Sequence, residues 1–206
     1  SMASLVLVRH GQSKWNEKNL FTGWKDPGLT EKGEKEAIEA GLTLKESGYK
    51  FDIMFTSVLL RAKRTGKLIL EQMGQEDLKT FENKALNERN YGDLAGLNKD
   101  EARKKWGEDQ VHKWRRSFDI APPGGESLKM TAERVLPYFK EKILPLLKEN
   151  LDIVVVAHGN SLRALVMQLD KLNSDEVVEL EIPTGMPICY SINERGQVEN
   201  KVLMKN

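Results

Sequence analysis

The chain has 206 residues, 31% of them charged and 39% hydrophobic, with a net charge of +1. One domain, spanning 1–206, is the default for that length and can bury a core; Ser1-Met2 reads as a remnant ahead of Ala3. The balanced charge leaves no bulk electrostatic case for nucleic acid or a membrane surface. Apolar runs are too short to span a bilayer, and no charged-then-apolar leader is expected. A lone cysteine, Cys189, excludes an internal disulfide and fits a cytoplasmic location.

Leu5-Val6-Leu7-Val8 is a short apolar run of the kind that forms a strand covered on both faces. It runs into Arg9-His10-Gly11, and Gly11 lets the chain bend where a side chain would clash. The segment Ser13 to Leu29, rich in Gly, Pro, Asn and Asp, reads as a loop. Trp15 and Trp24 within it are expected to fold back over the body, because exposing them is costly. Thr30 is placed to cap a helix that ends at Gly48. Phe51 to Phe55 is a second strand, ending in Thr56-Ser57. The helix after it stops at Gly74, and Arg61 lies in its first turn. A cation is poorly placed at a helix amino terminus unless an anion sits there; the alternative is a solvated arginine.

Leu78 to Leu86 reads as a short edge strand that delivers Asn87-Glu88-Arg89-Asn90-Tyr91-Gly92 to a loop. Lys99 to Trp106 is a short helix closed by Gly107. His112 is expected to pack near Trp114. Pro122-Pro123-Gly124-Gly125 breaks the chain before a long amphipathic helix that Pro137 should kink or divide. Ile153 to Ala157 is the strongest strand and ends in His158-Gly159-Asn160-Ser161, ahead of a helix over 162–172. Ile188 to Asn193 and Gln197 to Met204 flank Glu194-Arg195-Gly196 as a closing hairpin.

This strand–turn–helix pattern predicts an α/β fold with Arg9, His10, Arg61 and His158 at equivalent strand ends. If the three strands are parallel neighbours, these side chains share one pocket at the edge where open α/β sheets bind ligands. Two guanidinium groups, two imidazoles and free helix amides suit a dianionic phosphoryl group. His10 is the better placed nucleophile, and an unperturbed imidazole is largely neutral near pH 7. Glu88 is the candidate to move a substrate proton; locally, a surface glutamate paired with Arg89 is an equal reading. His10, His112 and His158 lack metal-ligand spacing. Trp114-Arg115-Arg116 is the one segment that suits nucleic acid, and the overall charge opposes it.

With these residues assembled, the chain resembles the histidine phosphatase superfamily, and within it the 2,3-bisphosphoglycerate-dependent phosphoglycerate mutases. The resemblance rests on Arg9 to Asn16, Phe21-Thr22-Gly23-Trp24, Thr56 to Ala62, Leu86 to Gly92, Gly96 to Lys99, Trp114 to Ser117 and Ala157 to Arg163, in family order. It implies a three-layer sandwich whose mostly parallel central sheet carries helices on both faces. It also implies a phosphohistidine on His10, primed by 2,3-bisphosphoglycerate without a metal, that interconverts 3-phosphoglycerate and 2-phosphoglycerate.

In that reading Arg9, Arg61, Asn16 and His158 surround the transferring phosphate, with Ser13, Gly159 and Asn160 beside it, and Glu88 moves the proton. Thr22, Gly23, Arg89, Tyr91, Lys99, Arg115 and Arg116 hold the substrate's other anionic end. The resemblance leaves a homodimer open, with no nucleic-acid or membrane partner. A phosphatase on the same scaffold is the alternative. Gln12 stands for a usual Glu, Asn90 for a usual His and Leu20 for a common Arg. The segment 122–125 is shorter than usual, which predicts a looser lid and more hydrolysis of the phosphohistidine.

Overall fold

The computed structural model describes residues 1–205. Strands β1 (Ala3–Arg9), β2 (Ile53–Thr56), β3 (Thr80–Glu82), β4 (Ile153–Ala157), β5 (Ile188–Ile192) and β6 (Val198–Leu203) form one sheet in the order β3-β2-β4-β1-β5-β6. The first four are mutually parallel, and the closing hairpin β5–β6 adds two antiparallel strands. The three strands expected to be parallel neighbours are adjacent, with β4 in the centre and buried along its whole length.

Alternation across the pleat divides the core into two layers. Leu5, Leu7, Phe55, Ile153 and Val155 face one side, against α6 (Leu128–Tyr138) and α8 (Gly159–Asp170). Val6, Val8, Met54, Val154 and Val156 face the other, against α2 (Glu31–Glu46) and α3 (Leu60–Met73). Each Val, Leu or Ile so buried contributes about 1.5–3 kcal/mol. This is the expected three-layer α/β sandwich.

Remaining helices are α1 (Lys14–Glu17), α4 (Lys99–Trp106), α5 (Glu108–Arg116), α7 (Leu144–Lys148) and α9 (Ser174–Glu179). Thr30 caps α2 by accepting from Gly33 N, and Gly74 ends α3 in the left-handed conformation. The division at Pro137 is real: α6 gives way to wider π-type turns over Phe139–Ile143 before α7 resumes. β3 is shorter than expected, because Asn83 caps a tight 3-10 turn that carries Leu86 into the core.

One expectation needs correction, and another holds with Trp24 only partly covered. His112 is exposed on α5 while Trp114 is buried; residues two apart on a helix point to different sides. Trp24 remains 39% exposed, its indole N–H donating to the Glu88 carbonyl at 2.6 Å and the Arg134 guanidinium lying over its ring. These two contacts compensate the exposure.

Strand register positions the site. Arg9 pairs with Ala157, and Thr56 with Val156. His10, Ser57 and His158 therefore leave the sheet side by side at its carboxyl edge, and His10 N donates to the Ala157 carbonyl at 3.1 Å. Gly11 lies against Gly33 of α2 so closely that a Cβ on Gly11 would stand 2.1 Å from the Gly33 carbonyl oxygen. No side chain fits there, and the bend after His10 is thereby fixed.

Candidate active site

The rings of His10 and His158 lie 5.0 Å apart, centre to centre, although 148 positions separate them in the chain. Both are buried. His10 Nδ1 meets the Gly11 carbonyl oxygen at 2.6 Å. A carbonyl oxygen only accepts, so the proton is on Nδ1 and Nε2 keeps its lone pair. Arg61 Nε donates to that Nε2 at 3.3 Å, and its other nitrogens donate to the Lys25 and Gly23 carbonyls. The Arg61 side chain is thus a buried cation held on the face of the nucleophile candidate, and the solvated alternative is excluded.

Burial first, and then the positive charges of Arg61 and Arg9, hold His10 well below its ordinary range. His158 is lowered in the same way by burial, Arg61, His10 and Arg9. Both rings are neutral at physiological pH, as a nucleophile and its neighbour require.

Burying two neutral imidazoles makes stability depend on pH. The folded chain binds fewer protons than the unfolded one below about pH 6.5. Stability is therefore full above that pH and falls as the pH drops, by about 1.4 kcal/mol per unit for each histidine and about 2.7 for both. Urea unfolding between about pH 7.5 and 5.5 measures this slope, and the double variant H10N/H158N should flatten it. An unchanged slope would mean that the two rings are not held neutral.

Arg9 Nη1 donates to the Ile182 carbonyl at 2.9 Å. Among the described residues, Arg9 Nε and His158 Nδ1 are the buried side-chain polar atoms with no hydrogen-bond partner. Unpaired buried polar groups are costly, and these two belong to the cluster that would hold an anion.

Glu88 Oε1 accepts from Arg89 N at 2.8 Å and from Asn160 N, in the first turn of α8, at 2.9 Å. A Cβ on Gly159 would stand 3.6 Å from Arg9 Cζ and 3.7 Å from Glu88 Oε2, so Gly159 sits between the two. The pairing of Glu88 with the Arg89 side chain does not occur. The Arg89 guanidinium instead donates to the Glu126 and Ile120 carbonyls and lies 5.1 Å from the Tyr91 ring centre.

One cleft is lined by Arg9, His10, Asn16, Thr22, Gly23, Arg61, Glu88, Tyr91, Lys99 and Arg115, together with Leu20 and Phe21. Asn160 borders it, donating through Nδ2 to the Tyr91 hydroxyl at 3.1 Å. Ser13 is fully buried: its hydroxyl accepts from Asn16 N, and Asn16 Oδ1 accepts from Ser13 N, so it orients Asn16. Arg116 lies outside the lining, 3.9 Å from Glu181. Among the described residues, no group of three His, Cys, Asp or Glu side chains could hold a metal ion.

Sequence reasoning gave no role to Arg134 or Ser57. Arg134 forms a two-pronged ion pair with Glu126 and donates to the Ala85, Asn87 and Glu88 carbonyls, pinning the Glu88 loop from α6. Ser57 Oγ meets His158 Nε2 at 2.7 Å.

The shortened segment is a tight turn rather than a loose flap. Gly125 N donates to the Pro122 carbonyl, Asp93 N to the Pro123 carbonyl and Glu126 N to the Asn90 carbonyl. Two of the three residues read as departures from the family pattern have local side-chain partners. Gln12 Oε1 accepts from the Thr30 hydroxyl, and Asn90 Oδ1 accepts from Gly92 N to close a turn.

Residues 5–203 match the histidine phosphatase superfamily (branch 1). The chain belongs to the histidine phosphatase superfamily. Among its curated members, the 2,3-bisphosphoglycerate-dependent phosphoglycerate mutase of Parvibaculum lavamentivorans is 62% identical over 200 residues, 97% of this chain and 95% of that one. The phosphoglycerate mutase of Schizosaccharomyces pombe is 57% identical, covering 98% and 96% of the two chains. These histidine phosphatases match almost end to end, so the compact length is not peculiar to this chain. A solved phosphoglycerate mutase from Bacillus anthracis shares the fold, with a TM-score of 0.78, 23% identity and coverage of 98% and 93%. Among the described residues, no helix is long and apolar enough to cross a membrane.

Proposed function

We propose that this chain interconverts 3-phosphoglycerate and 2-phosphoglycerate through a phosphohistidine on His10 primed by 2,3-bisphosphoglycerate, in cytoplasmic glycolysis and gluconeogenesis. The observation that carries the reading is the charge of the cleft. Its lining holds His10, Arg9 and Arg61 together with a second set of cations, Lys99 and Arg115. A phosphatase needs one anion clamp; a bisphosphorylated acid that must bind in two orientations needs two. End-to-end identity to curated mutases supports the same choice.

The chemistry runs through residues of this chain. His10 Nε2 forms a bond to phosphorus as the phosphorus–oxygen bond of the primer breaks and the departing oxygen takes up a proton by way of Glu88; the Nδ1 proton stays on Nδ1, hydrogen-bonded to the Gly11 carbonyl. Arg9 and Arg61 neutralise charge on the equatorial oxygens. The phosphoryl group then passes to the free hydroxyl of the monophosphate, whose proton moves to Glu88. The bisphosphate turns round, its other phosphoryl group goes to His10, and Glu88 returns the proton to the departing oxygen. No metal is required in this cycle. The burial of His10 limits the access of water to the phosphohistidine.

The test is conversion of 3-phosphoglycerate in EDTA, with and without 2,3-bisphosphoglycerate. The expected product is 2-phosphoglycerate, stimulated by the bisphosphate and unaffected by EDTA. Inorganic phosphate as the main product would overturn the reading in favour of the phosphatase.

Lys99 makes the second clamp pH-sensitive. Burial, and then Arg115, Arg9, Arg116 and Arg103, push its ammonium down to about 8. An anion bound there favours the charged form, so the free enzyme must be protonated at Lys99 to bind well. KM for 3-phosphoglycerate should rise about tenfold between pH 7 and about pH 9, the change that one proton lost through this range produces. Lys99→Arg, which stays charged, should remove most of that rise. A KM flat to about pH 9 in the unmodified enzyme would take Lys99 out of the clamp.

A further inference from the structure

The two imidazoles are chemically alike and a few ångströms apart, yet the proposed reaction uses only one as nucleophile. Their hydrogen bonds differ in sense. His10 Nδ1 is tied to a carbonyl, which leaves a lone pair on Nε2. His158 is tied through the opposite nitrogen: Nε2 lies 2.7 Å from Ser57 Oγ, and Nδ1 has no partner. Ser57 is fully buried at the end of β2. Its oxygen already accepts from Leu59 N at 3.2 Å, so its own proton is free to be given to His158.

We infer that Ser57 is a positioning residue that donates its hydroxyl proton to His158 Nε2 and so fixes the tautomer in which His158 Nδ1 carries hydrogen. His10 then offers an electron pair to the phosphoryl group, and His158 offers a proton to one of its oxygens. With the opposite tautomer, His158 would turn a lone pair toward a dianion, and the Ser57 proton would lose its acceptor. The arrangement also accounts for the orphaned Nδ1, which donates when the anion arrives. Neither histidine changes protonation state during transfer. The N–P bond forms at His10 Nε2 as the donor's P–O bond breaks and the departing oxygen takes its proton by way of Glu88, while His158 donates a hydrogen bond and keeps its proton. The consequence for catalysis rests on the phosphohistidine reading above; the tautomer itself does not.

The experiment is long-range 1H–15N correlation of the side chains in the 15N-labelled, unmodified chain without substrate. The chain contains three histidines, and H112Q assigns the exposed one. The expected spectrum shows, for His158, a protonated-type Nδ1 and an imine-type Nε2, and for His10 the same tautomer. A protonated Nε2 on His158 would overturn the inference, and this result needs no variant to fold. S57A should shift His158 toward a mixture of tautomers, leave the His10 pattern in place and weaken binding of inorganic phosphate about ten- to hundredfold, the range expected for a lost hydrogen bond to a charged group. A His158 spectrum unmoved in S57A would also overturn it. Failure of the mutase reading would appear separately, as phosphate release by the unmodified enzyme in the assay above.

Discussion

His10→Ala should lower mutase turnover by at least about 10⁴-fold, the scale of loss when a covalent nucleophile is removed, and should abolish acid-labile labelling of the chain from 32P-labelled bisphosphoglycerate. The expectation is sharp because nothing nearby can take the role. His158, the other imidazole in reach, has its Nε2 occupied by Ser57. Arg61 points its Nε at the position of the His10 lone pair and has no nucleophilic atom of its own. The fold should survive: His10 sits at the end of β1, and the bond it makes to the sheet is through its backbone N–H to the Ala157 carbonyl. Removing a ring that cannot be protonated without cost should also make the chain less sensitive to acid. His158→Asn is the contrasting variant. It should lose about 10²–10³-fold, as removal of one transition-state donor does, but still be labelled. Labelling that persists in His10→Ala, or vanishes in His158→Asn alone, would exchange the two roles.

Legibility from the sequence followed the range of the interactions. Arg9, His10, Arg61 and His158 were readable because each stands where an apolar run stops, and a parallel sheet collects its strand ends at one edge. Thr30 and Gly74 were readable because a cap and its helix are neighbours in the chain. Arg134 was not. It reads as one polar position on an amphipathic helix, and its importance comes from carbonyls 46 to 49 residues away. Ser57 reads only as part of a strand end, because its partner is 101 residues distant. His112 is not legible for the converse reason: sequence spacing does not say which side of the helix meets the core, and two positions from Trp114 the ring faces solvent. The short segment 122–125 suggested a loose lid, since its length was visible and the backbone hydrogen bonds that pin it were not. The family resemblance covered the whole set of charged residues, yet it did not separate those lining the cleft, such as Lys99 and Arg115, from Arg89, whose guanidinium reaches backbone carbonyls.

Glu88→Gln is the second large effect, and it isolates proton transfer from binding. Glu88 Oε1 accepts two backbone N–H groups, from Arg89 and Asn160. The amide oxygen of glutamine can accept both, so the loop and the first turn of α8 keep their positions. Arg134 continues to hold the loop through the Glu88 carbonyl, which the substitution does not alter. The variant loses only the ability to take and return a proton, together with one negative charge beside Arg9 and Arg61, where Glu88 now offsets part of the cost of burying those cations. kcat for 3-phosphoglycerate should therefore fall about 10²–10⁴-fold, the span attributed to a positioned acid–base group, while KM changes little or decreases as the cleft becomes more positive. The decisive contrast is the leaving group. Loading of His10 from p-nitrophenyl phosphate, whose phenolate departs without needing a proton, should slow by less than about tenfold, because the missing function is not used in that step. Equal losses with both donors would mean that Glu88 acts by holding the N-terminal turn of α8 in place, and the proton would then have to move through water or the substrate's own phosphate.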